Sequence, residues 1–152
     1  MADNAADLLD PRAIRLQERA GDKVEAIRMC GQALVEVGAV EAGYVDSMLD
    51  RESSVSTYVG EEVAIPHGTH AGKEAVNWDA LSFLRFPDGI DWDGSTVRLC
   101  IGIAARGDGH LDVLAELAEI LLDPDRARAL REVTDADEVL RLLRPSPAEA
   151  TT

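Results

Sequence analysis

Residues 97–105 (VRLCIGIAA) constrain this chain more than any other stretch. A half-buried strand alternates apolar and polar residues, because successive side chains point to opposite faces. Here Arg98 alone breaks a continuous apolar run, the mark of a strand covered on both faces. The run is far shorter than the ~20 apolar residues that a membrane-spanning helix requires. Such a strand needs a layer above it and a layer below, so the chain reads as an α/β domain. With 46% apolar residues in a length of 152, there is material for one core of this kind.

The flanking sequence supplies the layers. Asp22, with Glu25 three residues later, is a variant capping box. Val24, Ile27, residues 33–35 and Val37 then recur at helical spacing until Gly38. Residues 40–52 predict a second helix, with Val45, Met48 and Leu49 on one stripe. The helical pattern returns from His110, where Leu111, Leu114, Ala118 and Leu121 share a face and Leu117 lies beside them. Pro124 opens a short helix over 124–131, and 137–143 closes the domain. Further strands are expected at 13–17 (an edge), 63–65, Val76 and 81–86, with turns at 87–89 (PDG) and 91–94 (DWDG). Helices, then strands, then helices imply a single α/β domain over 11–144 with a mixed parallel and antiparallel sheet. Residues 1–10 are small and acidic and are expected to be frayed and flexible. Residues 145–152 (PSPAEATT) have no apolar face and are expected to form a disordered tail.

Charge narrows the function classes. Lys and Arg number 15 against 29 Asp and Glu, a net charge of -14. That argues against a nucleic-acid backbone partner, which needs a basic face, and against docking on or inserting into an anionic membrane. Aromatic residues, at 4%, are too few for a base-stacking platform. The acidic amino terminus has no signal-peptide pattern. Cys30 and Cys100 have no CxxC spacing and read as reduced core thiols of a cytoplasmic protein. Neither a P-loop nor a GxGxxG pattern is present, which speaks against a nucleotide cofactor.

Three histidines remain. His67 lies in EEVAIPHGTH, where a strand ends, Pro66 fixes the backbone and Gly68 follows without a side chain. A core histidine has no need of that framing. A nucleophile does, because an incoming group must reach the ring and nearby backbone N–H groups must be free to meet an anion. His110 lies in AARGDGHLDVLAEL, at the mouth of a strand–loop–helix unit beyond the carboxyl end of a strand, where α/β sheets bind ligands. A helix amino terminus there also favours an anion. His70 reads as an exposed loop residue. The H-x-x-H pair plus His110, without a carboxylate or cysteine partner, is a weak match to a zinc site, so no metal is expected.

STYVGEEVAIPHGTHAGK at 56–73 resembles the phosphorylation-site segment of the EIIA domain of the mannitol/fructose class of the bacterial phosphotransferase system. RLCIGIAARGDGHLDVLAELAEIL at 98–121 resembles that family's second segment, and the likeness extends upstream through MLDRE at 48–52. Both segments in order make the resemblance specific, and Ser-Thr-Tyr before the Gly with PHGT after it looks most like the mannitol branch. Gly109 departs from the pattern, since relatives commonly have an acidic residue there.

The resemblance implies a mixed sheet flanked by helices on both faces. His67 would be the phosphoryl acceptor, as tele-phosphohistidine. His110 would support the phosphorylated ring, and Arg51 would neutralise phosphoryl charge. The implied route runs from the phosphocarrier HPr to this chain, then to a cysteine on an EIIB component, then to a sugar, such as a sugar alcohol, entering through a membrane EIIC. A metal is not required, because a donor that is already a phosphohistidine has little charge repulsion to screen. An arginine fork suits the equatorial oxygens better than lysine does. The alternative is a regulatory module whose phosphorylation at His67 controls binding to a target protein. In either case an acidic body would steer a carrier with a basic face toward the site.

Overall fold

The computed structural model describes residues 5–69, 71–106 and 109–143. Its centre is a five-stranded sheet ordered β1 (Leu9–Arg15), β4 (Ala80–Trp92), β5 (Ser95–Ala104), β3 (Val63–Ala64) and β2 (Tyr58–Gly60). The pairs β1/β4 and β3/β5 are parallel, while β4/β5 and β2/β3 are antiparallel, so the sheet is mixed.

The apolar run is a central strand, as its composition requires. Val97, Leu99, Cys100, Ile101 and Ile103 are fully buried. Pairing sorts the faces: Phe83 stands opposite Ile101 on one, Ser82 opposite Gly102 on the other. Helix α1 (Lys23–Glu36) covers the Ser82 face, where the Ser82 hydroxyl donates to the Cys30 carbonyl at 3.0 Å. Helix α4 (Pro124–Glu132) covers the Phe83 face, which also carries Arg85 and Leu99; there Arg85 donates to the Arg131 carbonyl. Layers therefore lie on both sides of one sheet.

Helix ends follow the local code. Asp22 accepts from Glu25 N–H at 2.9 Å and the Glu25 carboxylate accepts from Gly21 N–H at 2.6 Å, which starts α1. Gly38, at φ 85°, ends it. Asp123 caps α4 ahead of Pro124. Helices α2 (Tyr44–Ser54), α3 (Gly109–Leu121) and α5 (Ala136–Leu142) complete the set. Helix α2 starts later than expected, because Val40 bridges Val76 instead of turning into the helix. That bridge is all that forms of the strand expected at Val76.

Three expectations are corrected. Residues 5–10, expected to be frayed, form a 3-10 turn (Ala5–Leu8) and the start of β1, because Ala6 and Leu9 are buried in the core. The PDG at 87–89 is not a turn: β4 runs through it, and the extra residues make an irregularity between Arg85 and Ile90 with Gly89 at φ 80°. The true reversal is Asp93–Gly94, where both residues have positive φ. On α3 the buried stripe is Leu117, Ile120 and Leu121, while Ala118 is exposed. The tail over 145–152 lies outside the described residues.

Candidate active site

Strands β3 and β5 run parallel, with Val63 beside Leu99 and Ala64 beside Cys100, so both leave the sheet at the same edge. His67 follows β3 at that edge, and α3 opens after β5 at Gly109. The backbone of His67 still pairs with Ile103, whose N–H donates to the Pro66 carbonyl at 2.9 Å. At the next rung the Tyr44 hydroxyl stands between the two segments. It accepts from Gly68 N–H at 2.9 Å and donates to the Ile103 carbonyl at 2.8 Å.

One turn along α2, Ser47 makes a second grip. Its hydroxyl accepts from Thr69 N–H at 2.8 Å and meets the Thr69 hydroxyl at 2.9 Å. The Thr69 hydroxyl in turn accepts from Gly72 N–H at 3.1 Å. The loop lies so close to α2 that a Cβ at Gly68 would sit 2.5 Å from Tyr44 Cε1 and 2.8 Å from Ser47 Oγ. This closeness gives Gly68 a different reason from the one expected: the N–H groups of residues 68 and 69 are taken by α2 hydroxyls and are not held open for an anion. Glycine here permits approach of a helix.

His67 is half-buried. Its Nδ1 lies 2.9 Å from the Ile65 carbonyl oxygen. A carbonyl only accepts, so Nδ1 carries the proton and Nε2 carries the lone pair of the neutral ring. The neutral tautomer of the ring is thereby selected by the backbone two residues upstream.

Arg51 lies on the stripe of α2 that holds Tyr44 and Ser47, one turn beyond Ser47. The helix that seats the His67 loop thus carries the guanidinium too. The guanidinium itself is drawn to the Val55 carbonyl at 2.6 Å, at the end of α2. His110 is the second residue of α3, in its first turn; its side chain, and all of His70, lie outside the described residues.

Sequence reasoning missed Tyr44, Ser47 and the neighbouring Glu52. Glu52 is buried, and its carboxylate accepts from Thr57 N–H at 3.0 Å, the Thr57 hydroxyl at 2.5 Å and Trp92 Nε1–H at 3.1 Å. Lys23 lies 3.4 Å away and bonds Asp93 at 2.7 Å. These bonds fix the carboxyl end of α2 against the β4–β5 hairpin. The glycines at 68 and 72 were the available signal, since paired glycines beside a functional residue mark a close approach.

Both cysteines are free and buried, and burial pushes the Cys100 thiol well above its ordinary range, so it is no nucleophile. Among the described residues, no group of three His, Cys, Asp or Glu side chains could hold a metal ion, and no helix is long and apolar enough to cross a membrane.

Comparison with known proteins agrees with this fold. Residues 7–145 match the family model of the phosphoenolpyruvate-dependent sugar phosphotransferase system, EIIA 2. The mannitol-specific phosphotransferase enzyme IIA component of Halalkalibacterium halodurans is 43% identical, over 90% of this chain and 94% of that protein. The crystal structure of IIA mannitol from Escherichia coli superposes with a TM-score of 0.82 at 40% identity, covering 89% of this chain and 98% of that one. The solution structure of the Escherichia coli enzyme IIA, in complex with phosphorylated enzyme IIB of the mannitol system, gives 0.83 at 40% identity, covering 90% and 98%. A family model that matches nearly the whole chain, relatives at about 40% identity and solved structures of the same topology lead to one conclusion: the chain belongs to the EIIA 2 family of the sugar phosphotransferase system and is a phosphoryl-transfer component of it.

Proposed function

We propose that His67 accepts a phosphoryl group on Nε2 from the phosphohistidine of HPr and passes it to the cysteine of an EIIB component, for uptake of a sugar alcohol such as mannitol through a membrane EIIC. The observation that carries this reading is the contact between His67 Nδ1 and the Ile65 carbonyl, which leaves the lone pair on Nε2. In the first step that lone pair forms the new P–N bond as the donor's P–N bond breaks, its electrons returning to the donor imidazole. In the second, the EIIB thiolate attacks phosphorus and the bond to Nε2 breaks. The transition state of phosphoryl transfer is loose, so the task of the protein is positioning and charge stabilisation. The Ile65 carbonyl steadies the Nδ1 proton while the ring carries the phosphoryl group.

Arg51, on the same helix as the loop grips, neutralises phosphoryl oxygens, and His110, in the first turn of α3, supports the phosphorylated ring. No cofactor or metal takes part. The mannitol-specific relatives favour a polyol substrate, and the Escherichia coli complex with enzyme IIB favours an EIIB partner. A cytoplasmic location fits this reading, since the family's relay works on that side of the membrane.

Incubation with phosphorylated HPr is expected to add one acid-labile phosphate to the chain and none to His67→Ala. Undiminished labelling of that variant would overturn the assignment. Onward transfer to an EIIB cysteine is expected as well; a labelled chain that never discharges there would be acting as a regulatory module.

A further inference from the structure

We propose that Tyr44 is a positioning residue for phosphoryl transfer: its hydroxyl, set between Gly68 and Ile103, fixes where His67 leaves the sheet and hence the direction of Nε2. The inference rests on the reading of His67 as acceptor.

In an uninterrupted parallel ladder, the two peptide groups flanking His67 would both bond directly to Ile103. One does, through the Pro66 carbonyl. At the other, the Tyr44 hydroxyl stands between the two groups, with a bond of 2.9 Å from Gly68 N–H and one of 2.8 Å to the Ile103 carbonyl. The two sides of His67 are therefore tied to the central strand differently, one backbone to backbone and the other through a side chain. We infer that this asymmetry sets the angle at which the chain leaves the sheet at the imidazole. Both ends of the anchor on the body of the domain are buried: Ile103 fully, in the central strand, and Tyr44 at 3% exposure.

The bond directions are set by the partners. The Ile103 carbonyl can only accept and the Gly68 N–H can only donate, so the group between them must do both. A phenol does both, and phenylalanine does neither. Burial also pushes the ionisation of Tyr44 upward, so the proton that the relay needs stays in place at neutral pH. Ser47 makes the companion grip, but its hydroxyl bonds Thr69 and not Gly68 or Ile103.

The test compares wild type with Tyr44→Phe, which keeps the ring that packs in the core. With phosphorylated HPr as donor, the rate at saturation is expected to fall about 10- to 100-fold, the cost of a misplaced reacting atom. The KM for the donor should stay within about twofold, because the docking surface is untouched. Ring 15N spectra of the unphosphorylated protein should show a smaller share of the Nδ1–H tautomer of His67. A rate within about twofold of wild type, or a loss that merely follows the unfolded fraction in thermal melts, would overturn the proposal. If wild type takes no phosphoryl group, the acceptor reading fails. The tautomer comparison then still decides: an unchanged ring spectrum removes the positioning role, and a changed one retains it.

Discussion

The segment from Gly60 to Thr69 is held at its two ends by opposite kinds of chemistry. At the amino end, Gly60, Glu61 and Glu62 all have positive φ, a left-handed run that two glutamates do not adopt without strain. Charge holds it there. Arg131 donates to the Glu61 carbonyl at 2.8 Å, lies 3.5 Å from the Glu62 carboxylate, and Arg98 pairs with Glu62. At the carboxyl end, around His67, the grips are the hydroxyls of Tyr44, Ser47 and Thr69. The difference has a functional logic. A site that receives and releases a phosphoryl dianion is poorly served by ion pairs in its own framework, because the ligand would compete for them. Neutral hydroxyls fix geometry and, on the proposed reading, leave Arg51 as the charge that answers the phosphoryl group.

The sharpest way to break this contrast is Gly68→Ala. Its Cβ must displace the Tyr44 ring, so stability should fall by about 2–3 kcal/mol. Transfer in the folded protein should fall about 100-fold. Urea unfolding and single-turnover phosphorylation measure the two; wild-type transfer in this variant would show that the hydroxyl end does not set the site. Arg131→Ala attacks the other end. It should cost about 1–2 kcal/mol in the same unfolding assay and leave the transfer rate of the folded protein unchanged. Glu61→Gly should move the opposite way, raising stability by about 0.5 kcal/mol as left-handed strain is relieved, offset by the lost contact of the exposed Glu61 carboxylate with Arg131. The smallest effect is ionic. Raising salt from about 0.1 to 1 M should remove a few tenths of a kcal/mol from wild type and less from Arg131→Ala. Alkali probes the hydroxyl end instead. Because Tyr44 is raised by burial, the stability it lends is complete below the unfolded tyrosine value of about 10 and is lost as pH climbs through its higher folded value. Tyr44→Phe should lack that loss in an alkaline melt series.

What could be read in advance followed from local or periodic causes. Residues 97–105 declared a central strand because burial on two faces leaves almost no polar positions, Arg98 alone excepted, and Asp22 declared a helix start because its partner is three residues away. The misreadings have long-range causes. Proline, aspartate and glycine at 87–89 carry turn chemistry, yet a long hairpin absorbs them because β5 pairs with β4 on either side. Ala6 and Leu9 looked frayed because what buries them lies far along the chain; Leu9 pairs with Leu81. Motif and resemblance made His67, Arg51 and His110 legible as candidates. Tyr44 and Ser47 were not, since their partners lie 24 and 22 residues downstream and a single hydroxyl leaves no periodic trace.

Strand β3 is the shortest in the sheet, only Val63 and Ala64. Two residues contribute little pairing free energy of their own, so its place depends on bonds made by residues outside it. Such segments open without the rest of the molecule unfolding. Amide exchange in the stretch that carries His67 should therefore proceed by a local opening, faster than in Ile101 or Ile103 of the central strand. His67, the proposed acceptor, follows the strand expected to detach first, and the long β4–β5 hairpin beside it would remain as the template on which that stretch closes again.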